Sequence, residues 1–169
     1  MRPTKDQTWC QVLQVLKLRS TCLRRQTAAL IVDPYNRVLS TGYNGVAPGF
    51  PHCSGGYPCY PGAVPGSVVS GDSGRETSLC QASHAEMSAL VWLADPRMAR
   101  SLYCTNLPCS TCAKLILQTS IEYVCAIEDY PDHQGLAMLL NRPGMEVRVG
   151  NGLYTKKASN DHFYQDSIL

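Results

Sequence analysis

Apolar and polar positions along this chain follow two periods in turn. Over residues 6–20, Trp9, Val12, Leu13, Leu16 and Leu18 recur at helical spacing and predict a helix. Ala28–Val32 is an unbroken aliphatic run ended by Asp33-Pro34, and Val38–Tyr43 follows closely; together they predict an antiparallel hairpin. From residue 42 to about 79 the chain is rich in Gly, Pro and Ser and has little periodicity. That is too long for an ordinary loop, so the stretch is functional, disordered or pinned by something other than a core.

Beyond it the pattern resumes. A helix is predicted from His84 to Ala94, stopped by Asp95-Pro96. Leu102–Thr105 reads as a strand, and Pro108 opens a helix to about Gln118 with Leu115 and Ile116 facing inward. Tyr123–Ile127 is a strand, Gly135–Asn141 a helix and Met145–Val149 a fifth strand, while the polar tail from Tyr154 has no assignable pattern. Strands alternating with helices after a hairpin predict a single α/β layered domain over residues 1–169.

Composition narrows the function classes. The net charge is +2, with Lys and Arg scattered apart from Arg24-Arg25 and Lys156-Lys157. There is no basic stripe for a long polyanion, though a small anionic ligand remains open. No segment has the roughly 20 apolar residues of a membrane span, and the charged start lacks the apolar core of a secretory signal. The expected location is the cytoplasm. Nine cysteines in a cytosolic chain argue for metal ligands rather than disulfides.

Two short motifs carry the chemistry. They are His84-Ala85-Glu86 and Pro108-Cys109-Ser110-Thr111-Cys112, each at a predicted helix start. Cys109 and Cys112 are three apart, so their sulfurs share one face of a first helical turn. The helix N-terminus favours thiolate over thiol. His84 would complete three protein ligands to zinc, the number that a hydrolytic site uses. Glu86, two residues after His84, points away from the imidazole and is suited to acid–base work rather than ligation. HAE or CxxC alone says little; in this order, on two helix starts separated by one strand, they point to zinc-dependent deamination.

With these motifs the chain resembles the deoxycytidylate (dCMP) deaminase family over most of its length. The resemblance rests also on Arg19–Gln26, Gly42-Tyr43-Asn44-Gly45, Pro51-His52-Cys53, Cys59, the run from Ser73 to Cys80, and Pro108–Lys114. It departs at Thr27-Ala28-Ala29, where the family usually has Val-Gly-Ala. The resemblance implies a cytidine-deaminase-like three-layer α/β/α fold, a five-stranded mixed sheet with helices on both faces. It implies a catalytic zinc on His84, Cys109 and Cys112 with Glu86 moving protons, and a second, structural zinc on Cys22, Cys53, Cys59 and Cys80. Four thiolates would close that second tetrahedron and pin the long Gly/Pro-rich segment.

The resemblance further implies that Asn44 binds the substrate sugar, although Asn-Gly is a turn signal in its own right. Arg24 and Arg25 are candidates for the nucleotide phosphate. Tyr130 and Ala85 are candidate substrate contacts. Cys10, Cys104 and Cys125 fall in apolar patterns and read as packing residues. The implied reaction is hydrolysis of dCMP to dUMP, with a homo-oligomer (a hexamer in many members) and dCTP and dTTP as possible effectors. The rivals are a zinc deaminase acting on a 5-substituted dCMP, a free nucleoside or base, or tRNA adenosine, and a non-catalytic zinc-binding interaction module. Glu86 distinguishes the last, because a purely structural centre needs no such carboxylate.

Overall fold

The computed structural model describes residues 2–22, 25–52, 82–131 and 133–155, and the backbone of 164–167. A capping box starts the first helix: Gln7 N donates to Thr4 Oγ1 at 3.1 Å, and Thr4 N donates to Gln7 Oε1 at 2.9 Å. From there α1 spans Lys5–Leu16 and ends in a 3-10 turn, Lys17–Arg19. The elements that follow are β1 (Ala28–Val32), β2 (Val38–Tyr43), α2 (Ala85–Val91), β3 (Ser101–Asn106), α3 (Ser110–Ile116), β4 (Tyr123–Glu128), α4 (Gln134–Leu140), β5 (Glu146–Val149), β6 (Gly152–Thr155) and β7 (Tyr164–Ser167).

One mixed sheet runs in the order β2-β1-β3-β4-β5-β6-β7. β1 pairs antiparallel with β2 and β3, whereas β3–β4 and β4–β5 are parallel. The expected sheet had five strands; this one has seven. β6 and β7 add antiparallel strands beyond β5. The turn into β6 is the two residues Gly150-Asn151, with Gly150 at φ 55°. Such a turn needs a residue at ease with positive φ, so Gly150 was a hairpin signal in a tail that otherwise looked featureless.

β1 lies inside the sheet and is buried along its whole length. Successive side chains point to opposite faces, so it feeds two cores. Ala29 and Ile31 join Ala85 and Ala89 of α2, Ala113 and Ile116 of α3, and Leu136, Leu139 and Leu140 of α4. Ala28, Leu30 and Val32 join Leu13 of α1, with Tyr103 and Cys125. Three helices therefore cover one face and α1 the other, giving the three-layer α/β/α arrangement. On the α1 side, Tyr103 and Tyr123 donate to the Asp6 carboxylate at 3.0 and 2.7 Å, tying the helix to β3 and β4.

One inward expectation fails: Leu115 is 40% exposed. In α3 the buried positions are Cys112, Ala113 and Ile116, which places Leu115 on the outer flank of this short helix. Among the described residues no helix is long and apolar enough to cross a membrane.

Candidate metal centre

Both motifs begin at a helix N-cap. His84 caps α2 and Cys109 caps α3, each in extended backbone conformation. The two side chains face one another. His84 Nδ1 lies 3.5 Å from Cys109 Sγ and 3.4 Å from Cys112 Sγ. All three donor atoms lie within 4.8 Å of one another.

The spacing suits zinc. Zn–S bonds of about 2.3 Å and Zn–N bonds of about 2.0 Å at tetrahedral angles set N···S edges of roughly 3.6 Å. The observed separations are close to that edge, and one imidazole with two thiols is a zinc donor set. Cys109 is prepared for ligation. Hydrogen bonds from the Cys112 thiol, the His84 imidazole and the Cys112 backbone N–H outweigh burial and pull the Cys109 thiol down to about 4. The hydrogen bond to Cys109, with burial, pushes the Cys112 thiol up. The Cys109 contact raises the His84 imidazole against the effect of burial.

Glu86 is the buried acid of the centre. It is 8% exposed, and its Oε2 accepts from Cys112 Sγ at 3.8 Å, outside the three-donor cluster. Burial raises its carboxyl above the ordinary range, as suits a group that must both take and give protons.

Two glycines let the parts approach. A Cβ on Gly42 would run into Ala85 O and Ala89 N, so α2 packs directly on β2. One on Gly135 would strike Pro108 O and the Cys109 carbonyl, so the start of α4 abuts the Cys109 cap. The sequence reading quoted both glycines without this role, since neither sits in a pattern that announces a close contact.

The remaining candidates make contacts of their own or lie outside the described residues. Asn44, just past β2, is bonded internally: Oδ1 accepts from Ser20 Oγ at 2.6 Å and Thr27 N at 2.8 Å, and Nδ2 donates to Arg25 O at 2.7 Å. Arg25 Nη2 donates to Glu128 Oε2 at 2.9 Å. Ala85 is buried in the first turn of α2. Tyr130 is half-buried against the core beneath α2–α4. Cys22 is a half-buried free thiol whose N–H donates to Ser20 Oγ at 3.2 Å. Arg24, Cys53, Cys59 and Cys80 lie outside the described residues. Asn106 and Glu128, which meet at the ends of β3 and β4, were missed, because nothing in a single strand's pattern marks its partner across the sheet.

The family model for the cytidine and deoxycytidylate deaminase zinc-binding region matches residues 3–128. The chain is 31% identical to a deoxycytidylate deaminase of Schizosaccharomyces pombe, over 87% of its own length and 44% of that protein. It is 37% identical to the deoxycytidylate deaminase of Mycobacterium phage D29, over 73% of itself and 94% of that protein. It thus spans less than half of the fission-yeast relative and nearly all of the phage one. Among solved structures, the dCMP deaminase of cyanophage S-TIM5 in complex with dCMP and dUMP superposes with a TM-score of 0.65 at 24% identity, covering 88% of this chain and 98% of that one. That match bears on the fold, and the sequence matches carry the kinship. The chain belongs to the cytidine and deoxycytidylate deaminase family.

Proposed function

We propose that the chain is a single deaminase domain that hydrolyses dCMP to dUMP and ammonia, in supply of deoxythymidine nucleotides and in the cytoplasm. The observation that carries this reading is the buried Glu86 carboxylate beside a centre of three protein ligands. His84 Nδ1, Cys109 Sγ and Cys112 Sγ would hold the zinc. Bound there, zinc supplies the Lewis acidity that makes water a nucleophile near neutral pH. Glu86 takes the proton of the attacking water on its carboxylate. It gives that proton to the ring nitrogen, then takes the second one from the hydroxyl now on the ring carbon and gives it to the departing amine, so both water protons are used and ammonia leaves. A non-catalytic zinc module would have no use for a buried acid at this place.

The choice of dCMP is supported by the yeast and phage relatives, which are named deoxycytidylate deaminases. The near-neutral charge weighs against a tRNA substrate. On this reading Asn44 serves the sugar and Arg24 or Arg25 the phosphate, with Tyr130 and Ala85 as further substrate contacts. The test is ammonia release across dCMP, CMP, deoxycytidine, 5-methyl- and 5-hydroxymethyl-dCMP and guanine. We expect dCMP to lead; a leading free nucleoside or guanine would overturn the reading.

A second, structural zinc on Cys22, Cys53, Cys59 and Cys80 belongs to the same proposal. Ser83 and Gly45 exchange backbone hydrogen bonds at 2.9 and 3.3 Å, and Thr21 lies against Gly45. Homo-oligomeric assembly, with a hexamer as the expected size, and regulation by dCTP and dTTP follow from the family likeness. Sedimentation with and without those nucleotides tests both.

A further inference from the structure

The metal centre lies on a closed circuit of bonded groups, and one member of that circuit has no role in the chemistry described above. On one side, the His84 ligand follows Ser83, which pairs with Gly45. Gly45 follows Asn44, whose amide donates to the backbone of Arg25 at 2.7 Å. On the other side, the Cys109 ligand follows Asn106 by three residues, and Asn106 Nδ2 donates to Glu128 Oε2 at 3.1 Å. Leu107 N also donates to Glu128 O at 2.9 Å. The circuit closes through His84 and Cys109, 3.5 Å apart, and through Arg25 and Glu128, 2.9 Å apart.

Glu128 and Arg25 are separated by 103 positions, and both side chains are largely exposed, at 60% and 40%. An exposed ion pair of this kind adds little to stability. What it does is hold a long, rotamer-rich cation in one place. Glu128 Oε2 is anchored by Asn106, which is 8% exposed, and also accepts from Arg25 Nη2. The Asn106 hydrogen bond first, then Arg25, keep the Glu128 carboxyl below its ordinary range, so it stays charged for this purpose.

We propose that Glu128 is a positioning residue that fixes the Arg25 guanidinium for the 5′-phosphate and thereby sets the preference for a nucleotide over its nucleoside. This inference rests on the dCMP reading. With the base at the metal centre, the phosphate is the far end of the substrate, and Arg25 is tied to that centre through Asn44 on one side and Glu128 on the other. A flexible arginine pays for its ordering when phosphate binds; one already held does not.

The experiment compares dCMP with deoxycytidine for the wild type and for Glu128→Ala, Glu128→Gln, Arg25→Ala and the double variant Arg25→Ala/Glu128→Ala. We expect Glu128→Ala to lower the ratio of kcat/KM for dCMP to that for deoxycytidine by about tenfold, the scale of one charged hydrogen bond. The change should come mainly through KM for dCMP. Glu128→Gln keeps an acceptor oxygen and should recover part of the loss. The double variant should be no less selective than Arg25→Ala alone. The inference is overturned if Glu128→Ala tightens dCMP, which would make the carboxylate a competitor of the phosphate. Equal losses on both substrates, multiplying losses in the double variant, or a fall in Tm with selectivity intact would overturn it too. A wild type that turns over deoxycytidine as well as dCMP would instead sink the dCMP reading itself, and the inference with it.

Discussion

Glu86 and its neighbours divide the work between a ligand set and an acid. The imidazole and two thiols meet through Nδ1 of His84, while the Glu86 carboxylate accepts from Cys112. Glu86→Gln keeps shape and volume, so the variant should bind zinc as the wild type does. Its turnover should fall by more than about 10²–10⁴-fold, the usual cost of removing one acid–base group, because the same carboxylate serves several proton transfers. Zinc analysis beside an ammonia-release assay checks this; full activity with full zinc would end the acid–base role. The departure at Thr27-Ala28-Ala29 has a placement as well. Ala28 packs on the α1 side of the sheet, whereas Ala29 shares the core with Ala85. The extra methyl at position 28 therefore lies on the face away from the metal centre.

Helices α2 and α3 owe their placement to what lets them approach. Gly135→Ala would force the start of α4 away from the Pro108–Cys109 backbone. Overpacking of this kind costs about 1–3 kcal/mol. The variant should lose zinc affinity beyond what its loss of stability explains, as measured by chelator competition beside urea unfolding. Unchanged zinc affinity would mean that the contact does not position Cys109. At the far end of α3 the support is polar. Arg142, just after α4, donates to Ile121 O at 2.7 Å, Leu117 O at 2.6 Å and Thr119 O at 2.9 Å. Arg142→Ala leaves three carbonyls of the α3–β4 connection without that donor and should destabilise by about 2 kcal/mol. A midpoint in urea equal to that of the wild type would contradict it.

Across the whole molecule, the layers are asymmetric in purpose. Three helices pack on the face that carries the ligands, and α1 closes the other with an apolar core and the Asp6–Tyr103–Tyr123 bonds. The second zinc belongs to this scale, because it would tie the long segment after β2 to the turn after α1. The intact protein should contain two zinc ions per chain. Cys22→Ser and Cys80→Ser should each retain one and unfold at lower temperature. One zinc per chain in the intact protein would remove the structural site.

Much of this architecture is local and was readable from residues alone. The aliphatic run at β1, the helical spacing in α1, and the ligand spacings at His84 and at Cys109–Cys112 all depend on neighbours within a few positions. Those patterns settle which elements form and which side chains can hold a metal. β6 and β7 were hidden because short strands at the end of a sheet carry little periodicity and exist through pairing with a neighbour. Packing alone decided that Gly135 touches Cys109, that Arg142 gathers three carbonyls, and that Arg25 meets Glu128 from 103 residues away. Periodicity and chemical type act along the chain, whereas register and close approach arise between segments that meet only when the core is built.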